Sequence, residues 1–473
     1  MKFYITTPLY YVNGNPHIGH SYTNIACDAL ARFWRFKGRE VLFTTGTDEH
    51  GQKIKEAAQA KGMEPEAFVD TVVPIFKDLW KKLNISHDDF IRTTEKRHKV
   101  VVEKILSLLY KNGDLYEGEY SGWYCTPCES FWTESQLVEN ACPDCHRAAQ
   151  HIKEKNWFFK LSKYQEWLIE YINSHDCFIV PSIRKNEILS FLKNPLNDLC
   201  VSRPKSRLSW GIKIPFTEDH VTYVWFDALI NYISVCGHTD NPSRFKKFWP
   251  ADVHMIGKDI LRPHTVYWPI MLHAAGLKLP KSVFAHGWWK IGEGKMSKSK
   301  GNIIDPVLMV DKFGVDAYRY FLLREVPFGM DGAFSETALV SRMNSDLAND
   351  LGNLLHRTLS MIEKYFSGEV PKRRKLSFSD DITKELIAKA TSLESEVTAA
   401  MNKIDFSHAL TAIWDLIKTS NKFIEEKAPW KLSKEGRTDE LKDMMYDLYE
   451  VLRIVSVSLW PFLPTTTDNM LGQ

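Results

Sequence analysis

Apolar residues change their spacing along the first fifty positions of the chain. The stretch KFYITTPLYY, residues 2–11, is rich in apolar and aromatic residues and predicts a buried strand. Apolar residues then recur at the helical spacing of Tyr22, Ile25, Ala26, Ala29, Phe33 and Phe36, and Gly38 is placed to end that helix. A second buried strand is predicted within EVLFTTGTDEHG, residues 40–51. The order strand, helix, strand indicates the beginning of a parallel α/β sheet.

This α/β pattern is interrupted near residue 116. Short mixed segments and paired cysteines follow, until HVTYVWFDALINYI and DVHMIGKDI restore a strand-like apolar character from residue 220 onward. We therefore predict one α/β domain that an insertion divides, with halves at 1–116 and 221–293 and the insertion at 117–220.

The last part of the chain changes to helical periodicity from about residue 346. In LGNLLHRTLSMIEKYF the apolar face contains Leu351, Leu354, Leu355, Thr358 and Ile362. Three further helical runs are predicted at 381–404, 407–430 and 439–460. Residues 346–473 are thus expected to form an antiparallel helical bundle, joined to the α/β domain by residues 294–345.

Composition is that of an ordinary soluble globular protein, with 44% hydrophobic and 25% charged residues. A chain of 473 residues is too long for one core, so several domains are expected. The net charge of +2 creates no strong overall attraction to nucleic acid, but it does not exclude a local basic patch that binds nucleic acid. The N-terminus lacks the apolar core of a signal peptide, and no apolar run reaches the length of a membrane span, so we expect a cytoplasmic protein.

Two histidines, His17 and His20, stand where the first strand gives way to the first helix. Open α/β sheets bind ligands at the carboxyl ends of their strands, and a helix N-terminus favours anions. Gly19, between the histidines, would let a base or ribose approach the backbone closely. The pattern indicates a site for a phosphorylated ligand.

A second candidate phosphate element is GEGKMSKSKGN, residues 292–302, in which Lys295 and Lys298 stand among glycines. It is not a Walker loop, because Met296 follows Lys295. By itself the segment is more typical of a polar loop than of a phosphate site. Together with His17 and His20, a phosphate site is the favoured interpretation. With no covalent nucleophile or catalytic metal cluster indicated, the chemistry expected is electrostatic stabilisation of phosphoryl or nucleotidyl transfer.

Four cysteines form two closely spaced pairs, Cys125 with Cys128 and Cys142 with Cys145. Two such pairs can place four thiolates around one zinc ion, and four protein ligands make the site structural. We therefore predict one structural Zn²⁺ per chain. Four unrelated buried thiols are the weaker alternative, and the adjacent His146 is a surplus candidate ligand.

The motifs, taken in order, resemble those of class I aminoacyl-tRNA synthetases and, within them, the methionyl-tRNA synthetases. The resemblance is carried along the whole chain by YYVNGNPHIGH, TGTDEHG, YVWFDALINY, IGKDILRPH, KMSKSKGN, DLGNLLHR and EKAPW. It implies a Rossmann-type catalytic domain with a zinc-bearing connective insertion, a KMSKS loop with a linking region at 294–345, and an all-α anticodon-binding bundle.

The same resemblance implies roles for individual residues. The methionine pocket would consist of Leu9, Tyr11, Asp48, Trp225, Ala228, Tyr232, Ile260 and His264. In it, Asp48 would accept the substrate ammonium. By their spacing of seven residues, or two helical turns, Trp225 and Tyr232 can share a face near the end of a strand. The ATP site, with Mg²⁺ accompanying the nucleotide, would consist of His17, Gly19, His20, Asp259, Lys295 and Lys298, and Asp259 would bind the ribose. Without the resemblance, plain core aromatics are the better interpretation of Trp225 and Tyr232.

Methionine, ATP and tRNA(Met) are the implied partners. Asn349, Asn353 and Arg357 recur every four residues away from the apolar stripe, and with Trp430 they would contact the anticodon. A monomer is expected for the chain as it stands, and a dimer only if a C-terminal module is supplied elsewhere. Two alternatives stay open: a small-molecule nucleotidyltransferase, which would need neither insertion nor bundle, and a non-catalytic tRNA-binding relative, which would not need both motifs intact.

Overall fold

The computed structural model describes residues 1–126, 130–132, 134–143, 145–291, 294–295, 304–373 and 380–473. They divide into two compact units. The first contains Met1–Lys81 and Ile85–Gly287, and the second contains Lys82–Asn84 and Trp288–Gln473. Within the described ranges, no helix has the length and apolarity that crossing a bilayer requires.

The first unit begins with the predicted strand, helix and strand. Its elements up to residue 111 are β1 (Lys2–Thr6), β2 (Tyr10–Tyr11), α1 (Ile18–Phe36), β3 (Glu40–Asp48), α2 (Gln52–Ala60), α3 (Pro65–Lys82), β4 (Asp89–Arg92) and α4 (Lys96–Lys111). The first apolar run is two strands and not one, and Pro8, which lacks a backbone N–H, lies in the break between them. Gly38, at φ +73°, follows the end of α1 as predicted.

The segment after α4 differs in character from the parallel α/β region. Its elements are β5 (Leu115–Cys125), β6 (Ser130–Trp132), β7 (Gln150–Phe159), α5 (Gln165–Ser174), β8 (Ile179–Val180), α6 (Ser182–Phe191), β9 (Leu199–Cys200) and β10 (Ser202–Pro204). Strands β6, β5, β7 and β9 form an antiparallel sheet in that order. Such a sheet can be built from neighbouring hairpins and needs no crossover helices.

The parallel architecture then resumes. The remaining elements of the first unit are β11 (His220–Thr222), α7 (Val224–Leu229), α8 (Asn231–Ser234), α9 (Pro242–Phe248), β12 (Val253–Gly257), α10 (Trp268–Ala274) and β13 (Val283–His286). A 3₁₀ turn at Lys258–Ile260 and a π-helical turn at Pro263–Tyr267 lead from β12 into α10.

The central sheet of this unit has seven strands, each parallel to its neighbours, in the order β2, β3, β1, β12, β13 and β8, with β4 also pairing with β3. Strand β1 lies between β3, which follows it through α1, and β12, which comes much later in the chain. The direction of winding therefore changes between β1 and β12. Ligands bind in the crevice that such a switch opens at the carboxyl ends of the strands.

The second unit is mainly helical. Its elements are β14 (Trp289–Ile291), β15 (Gly294–Lys295), α11 (Pro306–Phe313), α12 (Val315–Arg324), β16 (Gly332–Ala333), α13 (Glu336–Arg342), α14 (Asn353–Phe366), α15 (Asp381–Asn402), α16 (Phe406–Lys427), α17 (Pro429–Lys434), α18 (Thr438–Leu459) and α19 (Pro464–Leu471). A π-helix, Met343–Gly352, joins α13 to α14. Helix α16 packs against α15 and α18, which confirms the predicted bundle.

The core of the bundle uses the predicted apolar face. Leu351, Leu354, Thr358 and Ile362 are buried, and Leu355 is half-buried at the edge of the same face. Because the first of these residues is in the π-helix, the face does not follow a single α-helical period. It still points inward, since each residue packs where the sequence predicts an apolar contact.

Candidate functional site

The two histidines of the first helix cap its N-terminus. His17 is the N-cap residue, and its Nδ1 accepts a hydrogen bond from the backbone N–H of Gly19 over 3.1 Å. The backbone N–H of His17 in turn donates to Nδ1 of His20 over 3.0 Å. The two rings stack with their centroids 3.9 Å apart. This is a capping box in which imidazoles take the places usually held by Ser or Thr and Glu.

This capping determines which ring nitrogens carry protons. Nδ1 of His17 and of His20 each accepts a backbone N–H, so in the neutral rings the proton is on Nε2. Both histidines therefore offer an Nε2–H donor at the positive end of a 19-residue helix. A Cβ at Gly19 would lie 2.9 Å from Cε1 of His17, so glycine is also required for the capping ring to fit.

The histidine pair adjoins the residues predicted to bind methionine. The ring of Tyr10 packs edge-on against His20 at 4.9 Å, and its hydroxyl accepts a hydrogen bond from Nδ2 of Asn24 over 2.7 Å. In the neighbouring pair of β2 and β3, Tyr11 lies opposite Asp48. The short strand β2 thus connects the proposed phosphate donors with the proposed ammonium acceptor.

Tyr232 and His264 form the polar end of an otherwise apolar wall. Nδ1 of His264 lies 2.8 Å from the carbonyl oxygen of Ile260, which can only accept, so Nδ1 is protonated and Nε2 is not. The hydroxyl of Tyr232 therefore donates to Nε2 of His264, over 2.7 Å. Burial lowers the pKa of His264 to about 4, so the ring is neutral near pH 7. Trp225 approaches the same imidazole edge-on at 6.3 Å.

The structure brings the rest of the predicted methionine set to this wall. The half-buried members pack against the hydrophobic core that contains Tyr232, and these are Leu9, Tyr11, Trp225 and Ile260. Ala228 and Asp48 are buried beside them on α7 and at the end of β3. Half-buried aromatic and aliphatic groups above a closed core are typical of a pocket for an apolar side chain.

Asp259 lies at the switch point of the sheet. It is exposed in the 3₁₀ turn that follows β12, and a Cβ at Gly257 would lie 2.6 Å from its Oδ1. Close by, Nδ1 of His286 donates to the carbonyl oxygen of Gly287, and its Nε2 lies 2.8 Å from the Thr23 hydroxyl of α1. Burial lowers the pKa of His286, so its Nε2 is an acceptor and Thr23 donates. This bond ties the first turns of α1 to the carboxyl end of β13.

Two predicted residues fall outside the described residues. They are Lys298 and Cys128. Lys295 is the second residue of β15 and pairs through its backbone with Lys290 of β14.

Three of the four predicted metal ligands form one group. The sulfur atoms of Cys125, Cys142 and Cys145 all lie within 4.8 Å of one another, so they could hold a metal ion. The Cys125 and Cys145 sulfurs are 3.5 Å apart, far beyond a disulfide bond. Two sulfurs bound to one tetrahedral zinc at about 2.3 Å would stand about 3.8 Å apart. The spacing of these thiols therefore fits a shared metal ion.

The predicted anticodon residues lie on the surface of the bundle. Asn349 and Asn353 are exposed, and Arg357 is half-buried in an ion pair with Glu425 over 2.8 Å. Trp430, which directly follows Pro429 at the start of α17, is 46% exposed. Ala428, at φ +44°, turns the chain so that α17 begins at this point.

Sequence reasoning missed two polar contacts beside the pocket. One is the bond from Asn24 to Tyr10, and the other is a buried contact of Asp227 with His50 and His98. His50 and Asp227 stand inside the motifs TGTDEHG and YVWFDALINY, and that was their only signal. Contacts between residues about 180 positions apart have no periodicity that a sequence pattern could show.

Two family profiles match the chain. The profile described as "tRNA synthetases class I (M)" matches residues 3–152 and 147–359, and the profile "Anticodon-binding domain of tRNA ligase" matches residues 383–473. Methionine–tRNA ligase from Caldanaerobacter subterraneus subsp. tengcongensis is 55% identical over 473 residues, which is all of this chain and 73% of that relative. The chain belongs to the methionyl-tRNA synthetase family.

Further comparisons agree with this membership. Methionine–tRNA ligase of Bacillus subtilis is 49% identical over 485 residues, covering all of this chain and 72% of that relative. The solved structure of Mycobacterium tuberculosis methionyl-tRNA synthetase in complex with methionyl-adenylate superimposes with a TM-score of 0.96 at 41% identity, covering 99% of this chain and 93% of that one. The predicted resemblance and the predicted fold class are thereby confirmed.

Proposed function

We propose that this chain joins methionine to tRNA(Met) in two steps. The carboxylate of methionine attacks the α-phosphate of ATP, and methionyl-adenylate and pyrophosphate result. The terminal 2′-hydroxyl of the tRNA then attacks the methionyl carbonyl, and AMP leaves. The observation that carries the proposal is the histidine capping box at the first turn of α1, which makes Nε2 the protonated nitrogen of each neutral ring. Strand β2 connects this turn to the half-buried apolar residues beside the neutral imidazole of His264.

Methionine recognition follows from the chemistry of the pocket. Asp48 accepts the ammonium group, and the aromatic rings of Trp225 and Tyr232 enclose the thioether, a favourable sulfur–aromatic contact. His264 stays neutral because it is buried, so the pocket presents no charge to the side chain. Leu9, Tyr11, Ala228 and Ile260 complete the wall, and branched or charged side chains would fit it less well.

ATP binding uses the switch point of the sheet. His17 and His20 donate from Nε2 to the phosphates, Gly19 keeps the first turn of α1 open, and Asp259 binds the ribose hydroxyls. Magnesium enters with ATP and offsets the charge of the phosphates. The motif KMSKS supports a phosphate role for Lys295 and Lys298. These groups accelerate the reaction through positioning and through charge stabilisation at the α-phosphate.

The cysteine group holds a structural zinc ion in this proposal. Cys125, Cys142 and Cys145 supply three thiolates, and Cys128, two residues after Thr126 in the same motif, supplies the fourth. Four protein ligands leave zinc no open position, so it contributes to folding of the insertion and not to the chemistry. The insertion helps to place the acceptor end of the tRNA.

The bundle supplies tRNA selection. Asn349, Asn353 and Arg357 hydrogen-bond the anticodon bases, and Trp430 stacks on one of them. The exposed faces of Asn349, Asn353 and Trp430 support this role. The chain acts as a single protomer, which sedimentation of the purified protein would test.

ATP–pyrophosphate exchange tests the proposed function directly. Exchange should depend on methionine and proceed without tRNA, and leucine, isoleucine, valine and norleucine should support it far less at equal concentration. Charging of tRNA(Met) transcripts should then follow with methionine. Exchange that did not depend on an amino acid would indicate a small-molecule nucleotidyltransferase. Binding of tRNA without any exchange would indicate a non-catalytic relative.

A further inference from the structure

The carboxylate of Asp227 is completely buried on α7, where Trp225 and Ala228 of the predicted methionine pocket also lie. Oδ2 of Asp227 is 2.7 Å from Nδ1 of His50, and Oδ1 is 2.6 Å from Nε2 of His98. The side chains of all three residues are at most 2% exposed. Burying an ionised carboxylate is costly unless several donors compensate it, so this contact is not a by-product of packing.

The hydrogen positions follow from the partners. Burial by itself would raise the pKa of Asp227, but the two imidazoles more than offset this effect, and the pKa is lowered. The ionised carboxylate can only accept, so His50 donates from Nδ1 and His98 donates from Nε2. Nδ1 of His98 lies 3.1 Å from the hydroxyl of Ser234. We call these hydrogen-bonded residues the His50–Asp227–His98 bridge. Through Ser234, the bridge also contacts α8.

The bridge connects two parts of the chain that bind opposite ends of methionine in the proposed function. His50 follows Asp48, the proposed ammonium acceptor, by two residues at the end of β3. Asp227 stands on α7 between Trp225 and Ala228, which belong to the side-chain wall. The hydrogen bond between His50 and Asp227 is thus a direct link between the ammonium side and the thioether side of the pocket.

We propose that the His50–Asp227–His98 bridge is a positioning device that sets the separation between Asp48 and the Trp225 wall, and thereby sets the affinity for methionine. This inference rests on the proposed function of the same pocket. The three residues are positioning residues and not catalytic ones, because they are buried behind the groups that line the pocket. A small displacement of Trp225 and its neighbours relative to Asp48 is expected mainly to weaken methionine binding.

The decisive test compares two substitutions at one position. His50→Leu removes the donor to Asp227, whereas His50→Asn places an amide N–H close to the position of Nδ1–H. In ATP–pyrophosphate exchange, His50→Leu should raise the KM for methionine about ten-fold or more, since displacements of about 1 Å in a binding site have effects of this size. The KM for ATP should change less than about two-fold, and His50→Asn should recover most of the methionine affinity, because the donor is restored.

Asp227→Asn and Asp114→Asn form a matched pair that separates positioning from general destabilisation. Asp114 is also buried and also has two side-chain donors, Lys163 at 2.7 Å and Tyr164 at 2.8 Å, but it lies at the far end of α4 from His98. Both variants should lower the thermal unfolding midpoint. Only Asp227→Asn should raise the methionine KM. In calorimetric titration, Asp227→Asn should bind methionine more weakly than Asp114→Asn does.

Each outcome has a distinct meaning. An unchanged methionine KM in folded His50→Leu and Asp227→Asn overturns the bridge proposal, as does a parallel rise in the methionine and ATP KM values. If Asp227→Asn does not fold, the two His50 variants decide the matter alone. A wild-type chain without methionine-dependent exchange overturns the proposed function itself, whatever the variants do.

Discussion

At the scale of single residues, the histidines of α1 use their two ring nitrogens for different purposes. Nδ1 of His20 closes the helix cap by accepting from the backbone N–H of His17. In the proposed function, its Nε2–H donates to a phosphate of ATP. An alanine substitution therefore removes a cap and a donor together. To measure how much the Nε2–H donor contributes to the exchange rate, a substitution must remove this donor and keep the cap.

His20→Asn supplies that separation. The amide oxygen of asparagine can accept the backbone N–H of His17, but asparagine has no group at the position of Nε2. We expect both His20→Ala and His20→Asn to slow exchange by about 10²–10³-fold, the range for loss of one transition-state donor. His20→Ala should also lower the free energy of unfolding by about 1 kcal/mol, because the cap is lost.

Methionine binding measured by calorimetry is the control for these variants, and it should change much less than the exchange rate. If His20→Asn exchanged at nearly the wild-type rate, His20 would be a capping residue only. Lys298→Ala is expected to slow exchange by a similar factor of about 10²–10³.

At the scale of elements, the antiparallel insertion contains the cysteine group. Cys125 and Cys142 are buried, and among the described residues few apolar side chains surround them, chiefly Trp123 and Trp132. We expect a bound ion to hold this hairpin in one shape, because so small an apolar cluster contributes little to its stability. Metal binding and local folding are then a single equilibrium.

We therefore expect Cys142→Ser to lose the zinc and to loosen the insertion. Purified wild-type protein should contain one zinc per chain by elemental analysis. The variant should transfer methionine to tRNA more slowly, while its exchange rate falls much less, because the insertion is not among the groups that activate methionine. Cys236→Ser, at a buried cysteine outside the group, is the matched control and should keep its zinc. Wild-type protein without metal would contradict the assignment.

The surface of the bundle gives a second prediction at this scale. Stacking of one base on an aromatic ring contributes about 1–3 kcal/mol, so Trp430→Ala should weaken aminoacylation at least several-fold. Asn353→Ala and Arg357→Ala should relax discrimination of the first anticodon base. Arg357 would leave its ion pair with Glu425 to reach a base, so Glu425→Gln should impair charging less than Arg357→Ala.

Tyr449→Ala is the control for Trp430, because Tyr449 is another exposed ring in the bundle, 38% accessible. It should charge tRNA normally. Exchange without tRNA should be unchanged in all of these variants. A parallel fall of exchange and charging would mean that this face of the bundle supports the fold and does not select tRNA.

At the scale of the whole molecule, buried histidines govern how stability depends on pH. Burial lowers the pKa values of His254, His264 and His286, which unfolding would return toward 6.5. Between the folded and unfolded values the unfolded chain binds more protons, so stability rises with pH across this window and is lost as pH falls through it. Asp447 acts in the opposite direction, because burial raises its pKa to about 6.

Histidines with a lowered pKa outnumber Asp350 and Asp447, the carboxyl groups whose pKa burial raises. The free energy of unfolding should therefore fall as the pH is lowered from 7 toward 4. For His264, a pKa of 6.5 falling to about 4 corresponds to roughly 3 kcal/mol. His264→Gln removes this titration, and its denaturation midpoint should depend less steeply on pH. Urea titrations of both proteins at several pH values measure the difference, and parallel curves would contradict the assignment.

The sequence alone determined the elements and the order of their motifs. Apolar spacing predicted α1 and the helices of the bundle, because a helix must bury one face wherever it packs. Paired spacing predicted the cysteine group, because two thiols that are separated by two residues can reach the same metal ion. The placement of His17 and His20 at a helix start was predictable for the same local reason.

Tertiary structure alone decided which side chains meet across long separations. The neutral state of His264 depends on burial, and its Nε2 accepts a hydrogen bond from Tyr232, 32 positions away. Asp227 meets His50 across 177 positions. Local periodicity carries no information about such contacts, because they arise when a parallel sheet brings the carboxyl ends of distant strands to one edge. Burial then sets the charge and tautomer of each group, which depend on all of its neighbours at once.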